Sequence, residues 1–386
     1  MRIGIDNVSP GHATGFGTIG GFRHFLQDTL TWLVKIAPQH EYVLFQPRWA
    51  DPLDITPHAS VRVQHCAGVP KQRIGRVMYE QSRYARLIDR SGIDVFLACN
   101  NVIPLRLKTP SVVLMASLQY FDFPQIYSWL NLVYLRRMVP RSLQKVRGAL
   151  ASSHTSKQTI LERVNVPSER IHVVYYGLSA VIEGNRRGEE YEAGCRMVES
   201  LSGGKPYILS VSSFYWQKNL FRLVEAFALL KRKQGLSHRL LLVGGDSGKV
   251  TGRDLLEHAR ALGVEDSVVC PGVIVHARIA AFYMNASLTV MPSLYETFGH
   301  PIVEAMSCGC PVVTSNIGTM AEIAQNCAAL VDPYSADSIA EGMARVLSDI
   351  DLKKNMVSCG LVRARDFTAE IQTREYVRVL EGAARK

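Results

Sequence analysis

A chain of 386 residues exceeds what one core usually fills, and at roughly 150 residues per domain it predicts two domains of similar size. A hydrophobic content of 47% suits packed globular domains, and no run of about 18 uninterrupted apolar residues marks a membrane span. The net charge of +10 belongs wholly to the first half, where residues 1–177 carry 21 Lys+Arg against 11 Asp+Glu. No recognition motif accompanies that charge, so nucleic acid is not expected as a partner.

The opening Met1-Arg2-Ile3-Gly4-Ile5-Asp6 reads as a buried strand, lacking the charge, apolar stretch and cleavage site of a signal peptide. A cytoplasmic location follows as the expectation. After it, Gly15-Phe16-Gly17-Thr18-Ile19-Gly20-Gly21 precedes the apolar-periodic Phe22, Phe25, Leu26, Leu30 and Leu33. A glycine-rich turn at a helix start lets main-chain amides approach a phosphate or sugar. The spacing is not the dinucleotide fingerprint, and a flexible loop fits the same residues.

Further strands are expected at 42–45, 61–64, 95–98, 112–115, 148–152 and 171–175. Between them, Lys71 to Arg90 has a helical pattern that gathers Arg73, Arg76, Arg83, Arg86 and Arg90 near one stripe. Ile74, Val77, Met78, Leu87 and Ile88 lie away from it. A second basic helix surrounds Arg136, Arg137, Arg141, Lys145 and Arg147. Such helices suit an anionic lipid surface, with a peripheral position at the membrane's inner face, or a diphosphate-bearing acceptor. An ordinary solvated face accounts for the same arginines. In Ser153-His154-Thr155-Ser156-Lys157, Ser153 or Thr155 is expected to cap a helix.

The stretch 178–204 has little apolar content and is expected to link a first domain, 1–177, to a second, 205–366. The second opens with a strand at 207–212 and a helix at 219–233, followed by strands at 240–243, 268–270, 288–291 and 312–314. A closing helix is expected at 369–385. Alternating strands and helices imply α/β architecture with two doubly wound parallel sheets, whose ligands sit beyond the carboxyl ends of the strands. The eight cysteines lack metal-site or secreted-scaffold spacing and are expected to be free thiols.

Chemistry concentrates in Glu296-Thr297-Phe298-Gly299-His300-Pro301-Ile302-Val303-Glu304, which follows an apolar strand and opens a helix. Pro301 suits the first turn, Glu304 lies near the positive end of the helix dipole, and amides around Phe298 to Ile302 would be free to hold an anion or a hydroxyl. A carboxylate has oxygens enough for both hydroxyls of a ribose. On spacing alone, a loop-capping Glu296 and a dipole-complementing Glu304 fit equally. Lys218 stands where the helix after the strand 207–212 begins; a cation there opposes the dipole, and an anionic ligand would remove the conflict. No carboxylate pair suited to a metal-bound diphosphate stands out.

The segment PSLYETFGHPIVEAMSCGCPVVTSNIGTMAEIA resembles the donor-site signature of the retaining nucleotide-sugar glycosyltransferases of the GT-B fold, specifically glycosyltransferase family 4. The resemblance implies two Rossmann-like doubly wound domains facing an interdomain cleft, with residues 367–386 returning to the first domain. It implies that Glu304 holds the donor ribose, that Glu296 and the amides near Phe298 and Gly299 contact the transferred sugar, and that His300 and Pro301 belong to the same donor site. Trp216-Gln217-Lys218-Asn219 is similar to the family's lysine-asparagine motif, whose lysine neutralises the leaving nucleoside diphosphate. The loop with Gly17 and Thr18 would touch the donor diphosphate or the acceptor.

Two positions depart from the family pattern. Ser213 stands where an arginine is frequent, and Ala116-Ser117 where a histidine is common; Asp122 fits either a substitute polar group or, more simply, a turn cap. The implied reaction uses a nucleoside diphosphate sugar as donor, no metal or other cofactor, and a glycan or lipid-linked acceptor of bacterial polysaccharide or glycolipid assembly. The departures motivate one alternative, a GT-B-like binding or scaffolding protein without turnover. A sugar-nucleotide epimerase on the same fold is another.

Overall fold

The computed structural model describes residues 1–9, 19–51, 53, 58–115, 118–247 and 249–385, and of 19–24, 180 and 183 the backbone alone. Gly17, Thr18, Ala116 and Ser117 therefore lie outside the described residues. The chain forms two compact units, Met1–Gly177 with Ala369–Lys386, and Leu178–Thr368.

In the first unit, β1 (Arg2–Asp6), β2 (Glu41–Pro47), β3 (Val61–Cys66), β4 (Val95–Ala98), β5 (Ser111–Met115), β6 (Gly148–Ala151) and β7 (Ile171–Val173) form one parallel sheet. Its order is β3-β2-β1-β4-β5-β6-β7. The inner strands β4, β5 and β6 are buried along their whole length, as expected for apolar runs covered on both faces. The helix Ile19–Ile36 packs beside the closing helix Ala369–Arg385, which also lies on β4 and β5. Gln372 Oε1 accepts the Gly177 N–H at 2.9 Å where the chain leaves this unit. Ser153 caps the helix His154–Arg163 by accepting the Ser156 N–H at 2.9 Å.

The expected arginine stripe on 71–90 is broken. The segment is an α-helix at Arg73–Tyr79, a π-helix at Glu80–Tyr84 and an α-helix again at Ala85–Asp89. A π turn holds extra residues, so the faces before and after it fall out of register and one 3.6-residue period cannot describe both. Arg83, Arg86 and Arg90 are exposed and Ile88 is buried, as the stripe requires. Before the π turn the expectation holds for the exposed Arg73 but fails for Arg76, which is buried with its guanidinium over the Trp49 ring at 5.1 Å, and for Ile74 and Met78, which are 73% and 68% exposed.

The second unit holds β8 (Tyr207–Val211), β9 (Arg239–Val243), β10 (Val268–Gly272), β11 (Leu288–Met291), β12 (Val312–Ser315) and β13 (Ala329–Val331) in a parallel sheet of order β10-β9-β8-β11-β12-β13. The helix Leu220–Gln234 buries Leu220, Leu223, Val224, Phe227 and Leu230, the spacing read from the sequence. The three-residue β13 was too short to show as a periodic run.

Two expectations need correcting here. Residues 178–204 are no linker, because they form the helices Ala180–Gly184 and Glu189–Ser202 and belong to the second unit. The longer of these packs on the helix Ile279–Asn285 through Gly194, where an added Cβ would meet Ala281 Cβ at 2.7 Å and the Arg278 carbonyl at 2.9 Å. Close packing through a glycine leaves little apolar signature in sequence. The cysteines are not all free, since Cys327 and Cys359 form a disulfide between a 3₁₀ turn and the helix Ile350–Arg363. Among the others, Cys66, Cys99 and Cys310 are buried thiols.

Candidate functional site

The carboxyl ends of the neighbouring strands β8 and β11 carry the charged residues. Beyond β8 the chain makes a 3₁₀ turn, Trp216–Lys218, and reaches Asn219 at φ 60°, a left-handed conformation that asparagine tolerates better than most residues. Asn219 Nδ2 donates to the Pro292 carbonyl at 3.0 Å and the Pro333 carbonyl at 2.7 Å. The Leu294 N–H donates to the Gln217 carbonyl at 2.7 Å. These bonds tie the turn that carries Lys218 to the loop that carries Glu296.

Lys218 Nζ donates to Glu296 Oε1 at 2.6 Å, and Ser293 Oγ donates to the same oxygen at 2.8 Å. The two charged side chains are 16% and 11% exposed, so the pair is largely desolvated yet reachable from water. The Lys218 charge at a helix start is thus balanced inside the protein by Glu296, and its conflict with the helix dipole does not by itself require a ligand. Removing one partner would strand the other in a poorly hydrated place.

The helix His300–Ser307 starts after Gly299, whose φ of 102° is disfavoured for residues with a side chain. Its first turn offers fewer free donors than the sequence implied. Pro301 has no N–H, and the Ile302 N–H is taken by the Gly299 carbonyl at 2.9 Å. The Phe298 ring is buried and edge-on to His300 and Phe367, with centroids 5.1 and 5.6 Å apart, so its side chain packs and does not face outward. Burial, with Lys218 and His276 adding to it, pushes the His300 imidazole down to about 4, which leaves the ring neutral near pH 7.

Glu304 projects from the same helix, and its Oε2 accepts the Tyr283 hydroxyl at 2.8 Å. Tyr283 is fully buried on the helix Ile279–Asn285. Burial raises the Glu304 carboxyl above its ordinary range and the Tyr283 bond opposes that shift. One carboxylate oxygen is thereby oriented, and lone pairs remain for a ligand hydroxyl.

Ser213 lies in the turn after β8, where its carbonyl accepts the Tyr215 N–H at 2.7 Å. The neighbouring Gly244 is obligatory, because a Cβ there would fall 1.7 Å from the Ser212 carbonyl oxygen. Asp122 belongs to the first unit and receives Arg163 Nη2 at 3.4 Å. Asp349-Ile350-Asp351, which spells a spaced carboxylate pair, is a helix start: Asp349 accepts the Leu352 N–H at 2.9 Å. No group of three or more His, Cys, Asp or Glu side chains able to hold a metal occurs among the described residues. A cavity of about 560 Å³ in this unit runs along β10 and the helix Gly252–Ala261, with Phe214, Asp246, Arg253 and Cys270 in its wall, and none of Lys218, Glu296 or Glu304 lines it.

Lys218, Glu296, His300 and Glu304 thus occupy one unit, with Lys218 bonded to Glu296 and near enough to His300 to perturb it. Sequence reasoning missed Ser293, Asn219 and Tyr283. Asn219 stood beside Lys218 without a role, Ser293 precedes Glu296 by three residues, and Tyr283 carried no signal because its partner is 21 positions away.

The chain matches the family model Glycosyl transferases group 1 over residues 196–360 and the model Glycosyltransferase Family 4 over residues 19–180. It is 26% identical over 272 residues, 70% of each chain, to O-antigen chain mannosyltransferase B of Escherichia coli. Sucrose-phosphate synthase from Thermosynechococcus elongatus superposes with a TM-score of 0.77 at 19% identity, over 99% of this chain and 98% of the other. HepE from Anabaena, solved in complex with UDP-glucose, gives a TM-score of 0.72 at 18% identity, over 99% of this chain and 100% of the other.

Proposed function

Because the chain belongs to the group 1 glycosyl transferases of glycosyltransferase family 4 and has their GT-B fold, we propose that it moves a sugar from a nucleoside diphosphate to an acceptor hydroxyl with retention of configuration. The likeness to an O-antigen chain mannosyltransferase supports a glycan or lipid-linked acceptor of bacterial polysaccharide assembly. A fold neighbour crystallised with UDP-glucose supports the donor class.

The observation that carries this reading is the Lys218–Glu296 pair at the strand ends, desolvated but reachable. When the bond from the sugar C1 to the diphosphate breaks, negative charge grows on the departing phosphate oxygen. Lys218, exchanging Glu296 for the phosphate, stabilises that charge, and such preorganised stabilisation is usually the largest contribution to rate. Glu296, released from the lysine, accepts from hydroxyls of the transferred sugar, and Glu304, oriented by Tyr283, accepts from the ribose. Neutral His300 supplies a hydrogen bond without a second positive charge. Main-chain amides around Gly299, together with Ser213, complete the donor contacts offered by the second unit. The acceptor oxygen attacks C1 from the side the diphosphate leaves, and a phosphate oxygen takes the acceptor proton. The charge is met without a metal ion in this scheme.

The test is a panel of nucleotide sugars followed by thermal unfolding and product analysis. A ligand at about 100 times its dissociation constant stabilises the native state by about 2.7 kcal/mol, so the true donor raises the melting temperature. With an acceptor present, the product should carry the donor's anomeric configuration. If no nucleotide sugar stabilises the protein, and UDP and GDP bind Lys218→Ala as well as the wild type, the reading fails.

A further inference from the structure

The Cys327–Cys359 disulfide joins two elements that both reach the candidate donor site, and the transferase reading makes no use of it. Cys327 ends the 3₁₀ turn that follows the helix Gly318–Ala324, and Cys359 lies on the helix Ile350–Arg363, their Cα atoms 5.1 Å apart. One helical turn beyond Cys359, Arg363 makes a second clasp: its Nε donates to the Ile323 carbonyl at 3.1 Å and its Nη2 to the Glu322 carbonyl at 3.4 Å. Between these two ties, Gln325 is held at φ 47° and ψ −136°, which a residue with a side chain rarely adopts. Backbone of this kind persists only where its surroundings force it, and here the disulfide and the arginine bracket it.

Each half of the cross-link leads to the site within the second unit. Next to Cys359, Gly360 packs on the helix His300–Ser307 so closely that an added Cβ would meet Met306 Cγ at 3.1 Å. Arg363 lies over the Phe367 ring at 4.5 Å, and Phe367 meets Phe298 edge-on at 5.6 Å. On the other side, the helix Gly318–Ala324 follows β12, whose last residue Ser315 donates to the Ser293 carbonyl at 2.7 Å, and Ser293 donates to Glu296. A packed core shifts between discrete arrangements, so a loosened helix Ile350–Arg363 is felt by the helix it packs on.

From these contacts we propose that Cys327 and Cys359 form a reversible thiol–disulfide site that sets the donor affinity of the second unit. The bond is reachable from one side, because Cys359 is partly exposed while Cys327 is buried. A thiolate of a dithiol reductant attacks Cys359 Sγ, the S–S bond breaks, and its electron pair leaves on Cys327 Sγ, which takes up a proton. The reductant's second thiolate then attacks the reductant's own sulfur in the mixed disulfide, displacing Cys359 as a thiolate that is protonated in turn. The reductant is oxidised to a disulfide, the protein gains two thiols, and a disulfide oxidant reverses both steps. Opening removes the covalent tie on the turn that holds Gln325 and loosens the helix His300–Ser307, which carries Glu304. The effect on donor affinity rests on the transferase reading, whereas the exchange itself does not.

Purified full-length chain is treated under native conditions with reduced dithiothreitol and then with oxidised glutathione, and free thiols are trapped by alkylation and assigned by mass spectrometry. Reduction should add two labelled cysteines, Cys327 and Cys359, and reoxidation should remove both. Hydrogen exchange in residues 300–307 should be at least ~10-fold faster in the reduced form, and UDP or GDP should bind about fivefold more weakly by calorimetric titration. By linkage, whichever nucleotide binds should make the pair harder to reduce by the same factor. Cys359→Ser should show the reduced behaviour in both buffers, and because the wild type is compared with itself, the result does not depend on that variant folding. A pair that resists the reductant until the protein is denatured, or nucleotide affinity that is unchanged by reduction, overturns the inference. If neither nucleotide binds in either form, the transferase reading fails, and exchange in residues 300–307 alone decides for or against the switch.

Discussion

The two sheets place acidic residues at the ends of their central strands and neutralise them differently. At the end of β1, Asp6 is buried, and its Oδ1 accepts from the Val8 N–H, the Ser9 N–H and the Tyr84 hydroxyl at 2.9, 3.2 and 2.8 Å. Burial raises its carboxyl, and burial together with Asp6 pushes Glu80 up to about 8 against the opposing pull of Arg76. Near pH 7 a proton thus removes the charge of Glu80 in the first unit. At the ends of β8 and β11, Glu296 is instead balanced by a lysine at 2.6 Å. An ion pair can be opened by an incoming anion, while a protonated carboxyl has no cation to release. Similar strand orders therefore place a buried, hydrogen-bonded carboxyl in one unit and an ion pair, which the proposed donor would open, in the other.

The largest effect that would sharpen this contrast is loss of the switchable cation. Lys218→Ala should lower kcat by about 10²–10³, the usual cost of deleting one donor to a developing anion, measured as initial rates with the identified donor. Retention of near wild-type turnover would dissolve the distinction between the two strand ends.

Next comes the ribose contact proposed for Glu304. Glu304→Ala should weaken donor binding about 10- to 100-fold, the worth of a hydrogen bond to a charged group, whereas Tyr283→Phe should cost about fivefold by freeing the carboxylate it orients. Calorimetric titration with the nucleoside diphosphate reads both, and a larger loss in Tyr283→Phe than in Glu304→Ala would contradict the assigned order.

The two units should also respond to pH with opposite sign. Glu80 keeps its proton to about 8 when folded, against 4.5 when unfolded, so between these values the native state binds more protons. Its contribution is complete below 4.5 and is lost as pH rises through about 8, by up to about 1.4 kcal/mol per pH unit. His300, at about 4 when folded against 6.5 when unfolded, contributes fully above 6.5 and loses that stability as pH falls toward about 4. Hydrogen exchange resolved by unit should show Glu80→Gln flattening the alkaline slope of the first and His300→Asn the acidic slope of the second.

The smallest expected effect is that of a chelator. If Lys218 carries the leaving-group charge as proposed, excess EDTA should leave the rate unchanged within error, and a loss reversed by added magnesium or manganese would move that role to a metal.

Several features needed nothing beyond the order of residues. The alternation of apolar runs placed twelve of the thirteen parallel strands among the described residues, because buried strands in such sheets are locally hydrophobic and locally bounded. The ordered run from Glu296 to Glu304, with Lys218 upstream, marked the candidate site because its glycine, proline and acid positions are near neighbours in sequence. Tertiary structure decided what depends on distant partners. Asn219 joins loops more than 70 residues apart, Tyr283 fixes Glu304 across two helices, Cys327 finds Cys359, and Gly194 turns an apparent linker into a packed helix. The outward turn of Ile74 and Met78 was equally hidden, since a π turn that shifts a helix face is set by what the helix packs against and not by its own periodicity.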